Sequence, residues 1–325
     1  MKTLVFTCGP ASEDAENLRR LCETASSLRL NIAHLQAASL ELWLERLVKM
    51  RAEVGREFRI ILDLQGAKVR IGRFPDVQRL PEKVELFLGE QSDVDGRIPV
   101  PAASVFAHTS PGDRLLLNDR RVIVKITHKT EGVLTAVVEQ NGPLSSGKGL
   151  NSPDRGFELA RVTPQDAEAI ELSRHIAGLD YAISFVADGS EISLFRPLID
   201  EKHRLIAKIE RQAAFEHLAA IAANFAELWL CRGDLGAECG LKKLGEMQKR
   251  FVAAIPQLQR PCILAGEVLG SMVTRPAPSR AEIVQLHDAM NCGFSGMVLS
   301  DETACGQHVQ AVIEFVRFFF NDERQ

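Results

Sequence analysis

Short apolar runs recur along the chain with longer stretches of helical period between them, and this alternation limits the fold more than any other feature. Candidate strands lie at residues 4–7, 31–35, 59–64, 181–185, 205–209, 228–231, 262–265 and 296–299. Between most of them apolar residues recur every three to four positions, as at 164–177 and 281–292. Strand–helix–strand order implies crossover connections and therefore parallel pairing. Eight such units favour an α/β fold, a (β/α)8 TIM barrel. The helix near 164 carries its own start signal: Thr163 is a capping residue, Pro164 takes the first position and Asp166 supplies an early acid.

One interval breaks the alternation. From Val69 to Gly156, strand-like runs at 83–88, 115–118, 122–127 and 134–139 are separated by turn residues, with no long helical period. We read residues 1–68 as the first part of the barrel, 69–156 as an inserted β-barrel lid domain and 157–325 as the second part of the barrel. Setting aside the roughly 88 inserted residues leaves about 237 of the 325, close to the ~250 of one barrel.

Composition narrows the function classes. A hydrophobic content of 46% with 25% charged residues excludes a disordered or fibrous chain. The net charge of −4 and the lack of any Lys/Arg-rich stripe exclude nucleic acid as the expected partner. The longest apolar stretches, 225–231 and 315–320, fall far short of the ~20 residues of a membrane span. The opening Met1-Lys2-Thr3-Leu4-Val5-Phe6 leads into a strand and lacks a signal-peptide pattern. Seven scattered cysteines without a C-x-x-C pair suit a reducing compartment, so a cytoplasmic location is expected.

In a barrel, chemistry sits where the strands end and the following loops begin. Leu205-Ile206-Ala207-Lys208-Ile209-Glu210 closes an apolar strand with charge. Lys208 and Glu210 are two apart and share a face. They read either as a strand-end ion pair or as a cation and a carboxylate that hold a metal-chelated anion. Asp234 follows the next strand at a glycine turn, Arg232-Gly233-Asp234-Leu235-Gly236. It reads either as the cap of a short helix or, with Glu210, as a pair of carboxylates for Mg²⁺, which commonly takes one or two carboxylates plus substrate oxygens. His287 and His308 lie in helical stretches and read as surface groups. Phe315, Phe318, Phe319 and Phe320 read as the inner face of the last helix, part of it free to pack on another subunit.

Taken together, these segments resemble pyruvate kinase. Ala207-Lys208-Ile209-Glu210-Arg211 is similar to that family's lysine and first metal-ligand strand, and Arg232-Gly233-Asp234-Leu235-Gly236-Ala237-Glu238 to its A-R-G-D-L-G-x-E loop. Val298-Leu299-Ser300-Asp301-Glu302-Thr303-Ala304 resembles M-L-S-x-E-T-A, and Ser279-Arg280-Ala281-Glu282 resembles T-R-A-E. Thr7-Cys8-Gly9-Pro10-Ala11-Ser12 resembles T-x-G-P-A-S, and Lys148-Gly149-Leu150-Asn151 matches the K-G-x-N that closes the family's inserted β domain. The resemblance runs in order from Leu4 to about Phe318.

The resemblance implies transfer of the phosphoryl group of phosphoenolpyruvate to ADP, then protonation of the enolate to pyruvate. Glu210 and Asp234 would hold Mg²⁺ or Mn²⁺, Lys208 would neutralise the bridging oxygen, and the Arg232-Gly233-Asp234 turn would cradle the carboxylate. Asp63, Ser184 and Gly266 join the expected substrate-binding set. Asp63-Leu64-Gln65-Gly66-Ala67-Lys68-Val69-Arg70 looks like the D-L-Q-G-P-K-I-R version found in members that need no K⁺. Lys68 then supplies the charge that K⁺ supplies elsewhere, and Arg70 faces phosphate beside it. A homo-oligomer is implied, with a dimer favoured because the family's C-terminal regulatory domain is not expected here.

Other positions depart from the family pattern. His34, in Asn31-Ile32-Ala33-His34-Leu35-Gln36-Ala37-Ala38, stands where an arginine grips the transferred phosphoryl group, and Gln36 and Ala38 replace the Asn and Ser of the cation cradle. His lacks the bidentate fork of Arg and is largely neutral at pH 7. Gly266, in Leu264-Ala265-Gly266-Glu267-Val268-Leu269, replaces a threonine near the enolate carbon. Three readings follow: a slowed kinase with His34 still at the site; a Mg²⁺-enolate lyase or decarboxylase that uses or releases pyruvate without phosphoryl transfer; or a non-catalytic phosphoenolpyruvate-binding relative.

Overall fold

Side-chain alternation along β3 (Arg59–Leu64) shows how a short run is placed between two cores. Ile60, Leu62 and Leu64 are buried outward among helix residues such as Leu40, Leu44 and Leu47, whereas Ile61 joins Val5, Ala182, Ile206, Trp229, Ile263 and Val298 inside the barrel. Asp63, two residues after Ile61, therefore points inward at the open end of the strand. The same alternation holds round the ring.

The computed structural model describes residues 2–152, 157, 159 and 161–321. Strands β1 (Thr3–Thr7), β2 (Ser27–Asn31), β3, and, after the insert, β11 (Leu179–Ile183), β12 (Leu205–Ile209), β13 (Glu227–Cys231), β14 (Cys262–Ala265) and β15 (Gly296–Leu299) form a closed eight-stranded barrel. Every neighbouring pair is parallel, and β1 closes on β15 with Thr3 opposite Gly296. The helix Pro164–Ser173 starts as its sequence indicates, with Thr163 Oγ1 accepting from the Asp166 amide at 3.0 Å. Among the described residues no helix is long and apolar enough to cross a membrane.

The second strand corrects the sequence-based expectation. It occupies Ser27–Asn31 rather than 31–35, and Ile32–His34 is a tight turn in which Asn31 Oδ1 accepts from the Ala33 amide at 3.1 Å. The physical reason is that Ser27, Arg29 and Asn31 face the barrel interior, so the strand does not read as apolar. The strand expected at 181–185 also begins earlier and ends at Ile183, because Phe185 leaves the sheet at φ +60°.

The insert is a seven-stranded sheet of β4 (Val69–Arg70), β5 (Lys83–Leu88), β6 (Arg97–Val100), β7 (Arg114–Leu117), β8 (Val122–Thr130), β9 (Val133–Gln140) and β10 (Gly149–Asn151). Its order is β4-β10-β7-β8-β9-β5-β6, antiparallel except for β5 with β6. It has its own core, including Val84, Leu86, Ile98, Leu117, Val124 and Leu134. The four expected runs are β5, β7, β8 and β9; β4 and β10 are too short to stand out in sequence, and β6 contains Pro99, which reads against a strand. The edge at Gly156 lies outside the described residues.

At the end of the barrel away from these strand termini, fully buried Asp180 is held by Arg59 from the start of β3 and by Arg204, whose Nη2 lies 2.8 Å from Asp180 Oδ2. Burial alone would raise this carboxyl, but the hydrogen bonds from Arg59 and Arg204 outweigh it and hold it below the usual range. A depressed pKa contributes stability above the unfolded value of about 4, and that stability is lost as pH falls below it. Asp180→Asn should cost about 2–3 kcal/mol in urea denaturation at pH 7, less than the ~3–5 kcal/mol of a fully buried pair because both arginines are partly exposed. The same variant should show a shallower loss of stability below about pH 4 than the native chain.

Candidate active site

The inward alternation places Lys208 in the barrel mouth. Its Nζ lies 3.0 Å from Asp63 Oδ1 and 3.0 Å from Glu210 Oε1, and donates to Ser184 Oγ at 2.8 Å. Ser184 Oγ in turn donates to Asp63 Oδ1 at 3.2 Å. The four side chains come from β3, β12 and the two strand-end positions that follow β11 and β12. Burial works against the Lys208 charge, but Asp63 and Glu210 hold the ammonium well above the ordinary lysine range. Burial likewise raises Asp63, yet Lys208 and Arg29 prevail and bring it down to about 2. Glu210 goes the other way: burial is the largest influence, and its carboxyl is raised despite Lys208.

Glu210 is fixed from a second side, because its Oε2 accepts the Phe185 amide at 2.9 Å. That amide is presented by the left-handed backbone of Phe185, a conformation that costs a bulky residue about 1–2 kcal/mol. Phe185 also places its ring 5.5 Å beneath the Lys68 ammonium.

Asp234 is the third residue of the helix Arg232–Cys239 and does not cap it; Cys231 is the capping position. Its Oδ1 pairs with Lys68 Nζ at 2.6 Å. Burial raises the Asp234 carboxyl, and the ammoniums of Lys68 and Lys208 more than offset that and lower it. Lys68 is aimed by a turn that Asp166 anchors, its carboxylate accepting the Gln65 and Gly66 amides at 2.8 and 3.0 Å. Arg70 donates from Nη1 to the Gly147 carbonyl at 2.8 Å, while its buried Nε has no partner among the described residues.

Among the described residues, no group of three or more His, Cys, Asp or Glu side chains is arranged to hold a metal. Asp234 lies close enough to Glu210 for its charge to raise the Glu210 carboxyl. Two carboxylates fit a hard cation that takes its remaining oxygens from water or substrate, the habit of Mg²⁺, and the neighbouring Cys231 is kept a neutral thiol by burial.

A family described as "Pyruvate kinase, barrel domain" matches residues 1–313. The chain belongs to the pyruvate kinase family. It is 32% identical to a pyruvate kinase of Agrobacterium vitis over 319 residues, 96% of this chain and 67% of that one. A pyruvate kinase of Corynebacterium glutamicum is 31% identical over 334 residues, covering 99% of this chain and 70% of the relative. A crystal structure of pyruvate kinase from Pyrobaculum aerophilum superposes with a TM-score of 0.85 at 27% identity, over all of this chain and 74% of that one.

Against the pyruvate kinase pattern, the positions that differ have local consequences. Gly266 sits at φ +88°, and a Cβ there would come within 2.9 Å of the Gly233 amide nitrogen. The Arg232 side chain is spent on this same loop: it donates to the Gly266 carbonyl at 3.0 and 2.7 Å and to the Glu267 carbonyl at 3.0 Å. The free amides at the start of the helix Arg232–Cys239 are suited to an anion by their position. His34 ends the turn after β2, and its side chain lies outside the described residues.

Three residues that build the site gave no clear signal in sequence: Arg29, Phe185 and Asp166. Arg29 was detectable as a single charge between two leucines, had residues 27–31 been read as a strand with a polar inner face. Phe185 acts through its backbone, which sequence does not display.

Gly66 supplies a direct check on the turn. Its φ is +56°, and a Cβ would meet the Ser184 carbonyl oxygen at 2.2 Å. Gly66→Ala should therefore cost more than the ~1 kcal/mol of left-handed strain alone, as measured by urea denaturation.

Proposed function

We propose that this chain transfers the phosphoryl group of phosphoenolpyruvate to ADP and protonates the enolate to give pyruvate. The observation that carries the reading is the buried Lys208 ammonium held 3.0 Å from both Asp63 and Glu210 at the mouth of the barrel. The pyruvate kinase names of the relatives support it.

In this reading the bond between phosphorus and the C2 oxygen breaks, and that oxygen keeps the electron pair. A β-phosphate oxygen of ADP forms the new bond, and C3 of the enolate then takes a proton. Lys208 neutralises the charge that develops on the C2 oxygen, where a preoriented cation is most effective. The amides of Gly233 and Asp234 hold the substrate carboxylate. Lys68 and Arg70 face the phosphoryl group, and the unpartnered Arg70 Nε is a donor suited to it. Glu210 and Asp234 are the residues that would hold Mg²⁺, which supplies Lewis-acid charge to the substrate oxygens when bound.

Seven cysteines without a disulfide accord with a reducing cytoplasm. Phe318, 66% exposed beside the packed Phe315 and Phe319, supports a homo-oligomer, a dimer by preference.

A coupled assay with phosphoenolpyruvate, ADP and Mg²⁺ should show turnover that EDTA abolishes. Added K⁺ should change the rate by less than about twofold, since Lys68 already provides that charge. Lys208→Ala should lower kcat by about 10²–10³, the usual effect of removing one such stabilising group; unchanged turnover would defeat the reading.

A second reading is enolate chemistry without phosphoryl transfer: decarboxylation of an oxaloacetate-like acid, or aldol cleavage that releases pyruvate. The specific observation in its favour is Gly266, which leaves the approach to the Gly233 amide free of a side chain. It predicts Mg²⁺-dependent exchange of pyruvate methyl protons in D₂O, seen by proton NMR, together with no phosphoryl transfer to ADP. Pyruvate that binds without exchange counts against it.

A further inference from the structure

The inner face of β13 carries two residues that have no part in the phosphoryl-transfer scheme. Leu228 and Leu230 point outward into the helix layer, so Glu227, Trp229 and Cys231 point inward. The interiors of such barrels are ordinarily filled by Val, Ile and Leu. Trp229 is far larger, and it is 1% exposed. It packs in one inner cluster with Ile61, Ile206, Ile263 and Val298, where the short side chains of Ala182 and Ala265 leave room for it.

The indole stands beside Lys208. Across the hydrogen-bonded rung between β12 and β13, Trp229 is the partner of Lys208, and both side chains take the inner face. Rung partners lie about 4.8 Å apart, so the ring flanks the stem of the lysine whose ammonium reaches the mouth. Its height is set from below. Trp229 Nε1 donates to Glu227 Oε1 at 2.5 Å, and Glu227, 4% exposed, begins the same strand at the barrel floor. An indole N–H can only donate. Arg204, which also acts on Glu227, is committed to Asp180. Burial raises the Glu227 carboxyl in spite of the indole bond. A smaller residue in place of Trp229 would leave a cavity beside charged groups, the kind of space that water enters, and water there would screen the ammonium.

We propose that Trp229 is a positioning residue for Lys208: held at its height by Glu227, the indole braces the lysine stem and keeps water from reaching the ammonium from below. This rests on reading Lys208 as the cation that meets developing charge, and it extends that reading to the floor of the barrel.

The test uses the full chain in two ways. In kinetics with phosphoenolpyruvate, ADP and Mg²⁺, Trp229→Phe keeps a ring without the N–H, and Glu227→Leu removes the acceptor. Each should lower kcat by roughly tenfold to a hundredfold, the scale of a small misplacement of a reacting group. KM should stay within about twofold, since the loss falls on the transition state. Glu227→Gln keeps a carbonyl oxygen for the indole and should retain kcat within about threefold. Native kcat in both Trp229→Phe and Glu227→Leu would overturn the proposal, and so would equal losses in Glu227→Leu and Glu227→Gln. A merely structural role predicts a lower urea midpoint with native kcat in the folded fraction, which also overturns it. The second readout needs no substrate. The chain has two tryptophans, and Trp43 belongs to the outer helix Ala37–Val54, so Trp43→Phe leaves Trp229 as the fluorophore. In that background Lys208→Met should shift the Trp229 emission. The shift should persist with Glu227→Gln and vanish with Glu227→Leu. No shift, or a shift that survives Glu227→Leu, would overturn the proposal. A native chain without turnover of phosphoenolpyruvate defeats the kinase reading and leaves the emission comparison to decide the positioning role.

Discussion

An ammonium inside a barrel is stable only where carboxylates meet it, and the arrangement around Lys208 organises the rest of the mouth. Lys208 is 7% exposed and lies 3.0 Å from Asp63 and Glu210. Each of those carboxylates is in turn held by something else: Asp63 by Arg29 and the Ser184 hydroxyl, Glu210 by the Phe185 amide. Losing one partner leaves an uncompensated buried charge, which is why such networks tolerate little substitution. The cost of enclosing these charges is the condition for their use, because a cation fixed in a low-dielectric pocket acts more strongly on developing charge than one in water.

The central strands of this network were legible in sequence because each apolar run ends in charge. The runs 59–64 and 205–209 are β3 and β12 with the bounds read from the pattern. The two-residue spacing of Lys208 and Glu210 put them on one face, as the ion pair between them confirms. The glycine turn at Gly233 marked Asp234 as a loop or helix-start acid, and it is the third residue of a helix.

What stayed hidden has physical causes. Strand β2 carries Ser27, Arg29 and Asn31 on its inner face, so an apolar-run criterion passed over it and settled on the neighbouring turn. Phe185 and Gly266 contribute left-handed backbone, which leaves no mark in residue type for a phenylalanine and only an ambiguous one for a glycine. Asp166 was read as a helix-start acid, and it is one, but its carboxylate accepts amides about a hundred residues earlier in the chain. A contact between distant segments has no local signature.

Those separations bear on how the chain reaches its native state. Asp63 and Lys208 are 145 residues apart, Lys68 and Asp234 are 166 apart, and Arg29 reaches Ser300 across 271. Strand β1 finds its second neighbour only in β15, so the ring closes between the first and last strands of the barrel. Contacts of such span are made late, after most of the loop-closure entropy has been spent. The charged residues of the mouth therefore meet their partners only once strands far apart in the chain have joined. The capacity to bind an anion there is a report on ring closure as much as on chemistry.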